Sequence, residues 1–165
     1  MYRAKKLDRR EPKFYEAVNY LLDRLIGDED NALANLCNAA ALLGHQLDEV
    51  TWVGFYLRRG DELVLGPFQG KPACVHIPIG QGVCGVAAAR RETVLVADVH
   101  QFPGHIACDA ASRSEIVVPI LVAGELVAVL DIDAPVLSRF DETDRAGLEE
   151  FCRRLAVGID WSQLA

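Results

Sequence analysis

Apolar positions along the chain follow two rhythms. Phe14, Ala17, Val18, Leu21, Leu22 and Leu25 recur at helical spacing, with Pro12 placed for a first turn and Gly27 for a stop. Asp30 suits the cap of a second helix, in which Leu33, Leu36, Cys37, Ala40 and Leu43 share a face and Gly44 ends the run. From Val50 the period shortens. Residues 50–57 are aromatic and β-branched, Arg59-Gly60-Asp61 turns the chain, and residues 62–65 return as a hairpin partner. Gly66-Pro67 then breaks the pattern. Residues 73–79 read as a strand, Gly80 to Gly85 as a turn into a short helix over 83–90, and residues 93–97 as another short strand. Residues 98–114 show little periodicity and predict a long loop, of the kind that usually carries function. Two apolar strands, 115–122 and 125–133, meet at Ala123-Gly124. Asp141 then caps a last helix with Leu148, Phe151, Cys152, Leu155 and Ile159 on one face.

Short links between successive strands predict a largely antiparallel sheet. With helices at both ends of the chain, the fold class is α+β, the helices packing on one face. The 165 residues read as a single domain, 1–165, with 1–10 a loosely packed lead. A hydrophobic fraction of 51% is ample for a core without disulfide staples. The net charge of −7 argues against nucleic acid as a partner. Lys5, Lys6, Arg9 and Arg10 are followed by further charges where a secretory signal needs an apolar stretch, and no apolar run is long enough to span a bilayer. A cytoplasmic location without membrane contact is therefore expected, where thiols stay reduced and a disulfide is usually catalytic or redox-sensing. Five cysteines cannot all pair within one chain.

The candidate chemistry concentrates between Cys74 and Asp133. Cys108 lies in the polar loop, where exposure favours reactivity, and Cys84 opens the short helix, where backbone dipoles lower a thiol pKa. Cys74 alone reads as an ordinary strand residue, and Cys37 and Cys152 read as buried apolar positions on helix faces. Asp131 and Asp133, two apart on a strand, point to the same face. With Glu115 they form either a buried carboxylate cluster with raised pKa values or acids at a fraying strand end. Trp52, Phe55 and Tyr56 suit a pocket wall as well as a core.

Three further patterns are weaker. Gly80-Gln-Gly-Val-Cys-Gly85 matches a dinucleotide fingerprint, but among antiparallel strands it reads better as a tight turn. Cys74, His76, Cys84, His105 and Cys108 are zinc-ligand types at spacings that match no common zinc module, so no metal or cofactor is expected. Ser112 and Ser114 lack a convincing triad partner, although His100 and His105 are near.

Taken together, Trp52-Val-Gly-Phe-Tyr56, Gly66-Pro-Phe-Gln-Gly70, Cys74, Gly80-Gln-Gly-Val-Cys-Gly85, Val96-Ala-Asp-Val-His100, Phe102-Pro-Gly-His105-Ile-Ala-Cys108, Ser112-Arg-Ser-Glu115-Ile-Val-Val-Pro119 and Leu130-Asp-Ile-Asp-Ala-Pro135 closely resemble the free methionine-(R)-sulfoxide reductases, single GAF-domain enzymes. The resemblance runs from about Phe14 to the last helix. It implies a six-stranded antiparallel sheet flanked by helices, with a pocket closed by the loop around residues 98–114. It implies reduction of free L-methionine-(R)-sulfoxide to methionine with thioredoxin as reductant, and a homodimer. Carried over, Cys108 is the nucleophile that becomes a sulfenic acid, Cys84 the resolving thiol of a Cys84–Cys108 disulfide, and Cys74 a second thiol able to join the exchange. Glu115 and Asp133 hold and protonate the sulfoxide oxygen, and Asp131 meets the substrate amine. Trp52 and Tyr56 wall the methyl-sulfur end, while the backbone of Ile106 and Ala107 meets the carboxylate. The alternatives are a GAF sensor that binds a small ligand without chemistry, and a thiol redox switch without turnover.

Overall fold

The structure, a computed structural model, describes residues 2–3 and 5–165. Met1 and Ala4, part of the lead expected to pack loosely, lie outside the described residues. The elements in order are α1 (Phe14–Ile26), α2 (Ala32–Gln46), β1 (Trp52–Arg59), β2 (Glu62–Gln69), β3 (His76–Pro78), α3 (Gly82–Arg90), β4 (Val94–Val96), β5 (Ser114–Val122), β6 (Glu125–Ala134) and α4 (Glu142–Gly158). Short 3-10 turns occupy Val99–Gln101 and Trp161–Leu164. The six strands form one sheet in the order β3-β2-β1-β6-β5-β4, and every pair is antiparallel. The expected α+β class and six-stranded sheet are present.

Period-two alternation decides which side of the sheet each residue serves. Val53, Phe55 and Leu57 of β1, Ile116, Val118 and Ile120 of β5, and Ala128, Leu130 and Ile132 of β6 join the core under α1, α2 and α4. Trp52, Tyr56, Val117 and Val129 turn to the opposite side and form a second core with Val83, Cys84, Ala87 and Ala88 of α3. Helices therefore flank the sheet on both faces, as the resemblance implies, where the order of elements alone suggested one face. The short α3 is the exception because its apolar residues have only the other face of the sheet to pack on.

Three local boundaries moved for identifiable reasons. β2 runs on through Gly66-Pro67, the expected break: Gly54 pairs with Phe68 and Tyr56 with Leu65, so the register shifts there. A bulge leaves the proline without a ladder bond to make. α2 is capped by Asn31, which accepts from Ala34 N at 2.9 Å, one residue beyond the expected Asp30. Its buried residues are Ala32, Asn35, Leu36, Ala39, Ala40, Leu42, Leu43 and Gln46, which leaves Leu33 and Cys37 exposed. Alanines on several sides of this helix made its periodicity ambiguous, and Cys37 is not the buried apolar position that was expected. α2 also passes Gly44, because the fully buried Gln46 ties down the lead: its Oε1 accepts from Leu7 N, and its Nε2 donates to Lys5 O. At the other end, Asp141 caps α4 as predicted and forms a capping box with Asp144.

Candidate active site

Sheet register assembles the acidic half of the site. Glu115 of β5 pairs directly with Asp133 of β6, and Val117 with Asp131. On the other side of β6, Trp52 pairs with Asp133 and Gly54 with Asp131. Glu115, Asp131, Asp133, Trp52 and Tyr56 therefore project from one face, beneath α3. Glu115 and Asp131 are buried, and Asp133 is partly exposed. Of the two readings of these acids, the structure supports the buried cluster.

Burial pushes Glu115 well above the usual carboxylate range, and the neighbouring Asp131 and Asp133 charges add to the shift. Asp133 is raised well above its ordinary value by burial and then by Asp131, against a hydrogen bond from Ser112 Oγ to its Oδ1 at 3.4 Å. Asp131 is raised by burial, while hydrogen bonding with Glu115 and Cys84 opposes the shift. Three carboxyls in so small a volume repel one another when ionised, so retention of a proton is favoured here.

The aromatic wall comes from β1 and β2. Trp52 stacks on Phe68 with ring centroids 5.2 Å apart and on Tyr56 at 5.8 Å. Its Nε1 donates to Lys71 O at 3.1 Å, and the Tyr56 hydroxyl donates to Cys74 O at 3.0 Å. The rings thereby pin the connection after β2. Gly54 makes the stack fit: a Cβ there would lie 2.4 Å from Phe68 Cβ and 2.5 Å from the Trp52 ring.

The roof is the loop before β5. A cavity of about 190 Å³ is lined by Trp52, Tyr56, Cys84, Ile106, Cys108, Ser112 and the three carboxylates, among others. Ile106 seats on Gly82, which has φ +66° and whose Cβ would come within 3.0 Å of the Ile106 side chain. This close approach, and the positive φ of Gly80, explain the glycines of the turn. The dinucleotide reading loses its support, since the motif needs a parallel βαβ unit. Ala107 is exposed and is not among the cavity-lining residues, unlike its neighbour Ile106.

The cysteines arrange themselves differently from the expected pairing. Cys108 is joined to Cys74 in a disulfide, with Cα atoms 5.6 Å apart. Cys84 is a free, buried thiol. Burial raises its pKa, and the charges of Asp131, Glu115 and Asp133 raise it further, against the lowering expected from its place at a helix start. Two of the five zinc-type residues noted in the sequence, Cys74 and Cys108, are consumed by the same bridge. Phe68, Lys71, Pro72, Ala73, Asp109 and Ala110 also border the site and were not singled out in the sequence. Phe68 was within reach, as the residue after a proline at the end of an aromatic hairpin.

Comparison with known proteins agrees with this geometry. The GAF domain family matches residues 27–160. The chain is 50% identical over 143 residues to the free methionine-R-sulfoxide reductase of Escherichia coli, covering 87% of each chain. It is 51% identical over 161 residues to the protein YtsP of Bacillus subtilis, covering 96% of this chain and 99% of that one. Among solved structures it superposes with a TM-score of 0.93 on the free methionine-R-sulfoxide reductase of Neisseria meningitidis in complex with its substrate. The two are 43% identical, and 99% of each chain is covered.

Proposed function

The chain belongs to the GAF-domain family of free methionine-R-sulfoxide reductases, and from that premise we propose that it reduces free L-methionine-(R)-sulfoxide to L-methionine. One observation carries the reading: a cysteine on the roof loop and three clustered carboxyls line the same small cavity. Neither a ligand sensor nor a bare redox switch needs both.

In this reading the neutral acids of Glu115 and Asp133 hold the sulfoxide oxygen, and Asp131 meets the ammonium of the free amino acid. Trp52 and Tyr56 wall the methyl-sulfur end, with the backbone at Ile106 and Ala107 toward the carboxylate. The Cys108 thiolate attacks the sulfoxide sulfur. The substrate S–O bond breaks as the oxygen passes to Cys108 Sγ with a proton from the carboxyl pair. Methionine leaves, and Cys108 remains as a sulfenic acid. A neighbouring thiol then displaces the oxygen as water and forms a disulfide. The Cys74–Cys108 bridge favours Cys74 for that step in place of Cys84. A dithiol reductant, thioredoxin, restores both thiols. A homodimer and a cytoplasmic location belong to the same proposal. No helix among the described residues is long and apolar enough to cross a membrane.

The test is methionine formation from the separate R and S epimers of free methionine sulfoxide, with dithiothreitol as reductant. Turnover of the R epimer alone is expected, and loss of that turnover in Cys108→Ser. A folded, reduced protein that converts neither epimer overturns the reading in favour of a ligand sensor or a peroxide-driven switch.

A further inference from the structure

Cys84 is left over once Cys74 takes the resolving step, yet it is buried beside the carboxyl cluster. Its Sγ, a carboxylate oxygen of Glu115 and one of Asp131 all lie within 4.8 Å of one another, and all three residues are buried. Tetrahedral zinc needs ligand separations of roughly 3.5 Å, so the set has to close by about an ångström at most. A second, independent observation points the same way: Oδ1 of Asp131 is buried and makes no hydrogen bond. A carboxylate oxygen in that position is costly unless a cation completes it. The basic side chains lining the cavity are Lys71 and His105, both on the connections that roof it, and Lys71 is exposed.

We propose that the floor of the cavity is a binding site for a single thiophilic divalent cation, such as Zn2+ or Cd2+, held by Cys84, Glu115 and Asp131. The thiolate selects against Mg2+ and Ca2+, which take oxygen ligands. Coordination releases the Cys84 proton to solvent, because the thiolate is the ligand. The fourth position faces the cavity, as in zinc sites that keep one coordination place open. On the function proposed above, the same oxygens serve the sulfoxide and the amine, so a bound cation excludes the substrate. The metal is thus an inhibitor, distinct from a resident cofactor. That consequence rests on the reductase reading, whereas the site itself does not.

The oxidised protein gives a clean test, because its Cys74–Cys108 bridge removes those two sulfurs from competition. Cd2+ is titrated into it and the thiolate-to-cadmium charge-transfer absorption is followed. One equivalent is expected to give the band in the wild type and in Cys37→Ala, which removes the exposed free thiol. Cys84→Ala is expected to abolish the band, and Asp131→Asn to weaken Cd2+ binding at least tenfold, with thermal melts confirming that each variant is folded. A band that survives in Cys84→Ala, that ignores Asp131→Asn, or that never appears in the wild type overturns the proposal. No arm requires turnover, so failure of the reductase assay leaves the metal result readable, and the reverse holds as well.

Discussion

Glu115 and Asp133 face each other directly across the β5–β6 ladder, on the side of the sheet that closes the cavity. Like charges so paired repel, and with burial this pushes both carboxyls well above their usual range, which favours a retained proton. That proton is the one the proposed reaction consumes. Glu115→Gln keeps the shape and removes it, so kcat/KM for methionine-(R)-sulfoxide is expected to fall by about 10²–10⁴-fold. The wild-type rate should also decline on the alkaline side as the raised carboxyls ionise, and that limb should shift in the variant, where only Asp133 of the pair remains. A pH–rate profile of both proteins checks the two statements together.

The same raised pKa has a stability cost whose sign can be fixed. Near pH 4, the ordinary carboxylate range, Glu115 begins to ionise in the unfolded chain while the folded chain retains its proton. Above that pH the folded state binds more protons than the unfolded state, so stability falls as pH rises toward the folded pKa. Glu115→Gln removes the effect. Its melting temperature relative to wild type should therefore climb between about pH 5 and pH 8, by a few degrees. A difference that stays flat across this range would show that Glu115 is not protonated in the fold.

On the proposed function, the bridge favours Cys74 as the resolving thiol. With thioredoxin as the only reductant, Cys74→Ser should release about one methionine per chain and then stall with Cys108 as a trapped sulfenic acid. Cys84→Ser should continue through many turnovers. Single-turnover product counting and intact mass distinguish the two variants. The opposite pattern would return the resolving step to Cys84.

Gly54 has no room for a side chain beneath the Trp52–Phe68 stack. Gly54→Ala should cost about 1–3 kcal/mol in urea unfolding. It should also shift tryptophan fluorescence, because the ring that walls the cavity must move.

Away from the site, Asp144 accepts from the Tyr15 hydroxyl at 2.6 Å and from Arg139 Nη1 at 3.4 Å. The Arg139 side chain is fully buried. Asp144→Ala leaves that guanidinium without its carboxylate and should destabilise the fold by about 3–5 kcal/mol, measured by denaturant titration.

The residues that were legible in the sequence are those whose placement follows from local periodicity. Asp131 and Asp133 share a face because a strand alternates, and Asp141 caps α4 because its backbone N–H groups need an acceptor. Glu115 joins the acids only through the β5–β6 register, which depends on a turn at Ala123-Gly124 and on a register shift between Ile120 and Leu121. The Cys74–Cys108 bridge joins residues 34 apart; Cys74 was read as a strand residue, but β3 begins only at His76, and Cys108 lies in a loop without periodic pattern, so nothing local pointed to their pairing. Cys84 misled for a related reason: a helix start favours a thiolate, but burial beside three carboxyls outweighs it.

The Cys74–Cys108 bridge staples the connection after β2 to the loop before β5, and both segments wall the cavity. While it is intact, the two walls are one covalent piece and Cys108 has no free thiol. On the proposed function, each further attack on a sulfoxide waits for two electrons to reopen that bridge.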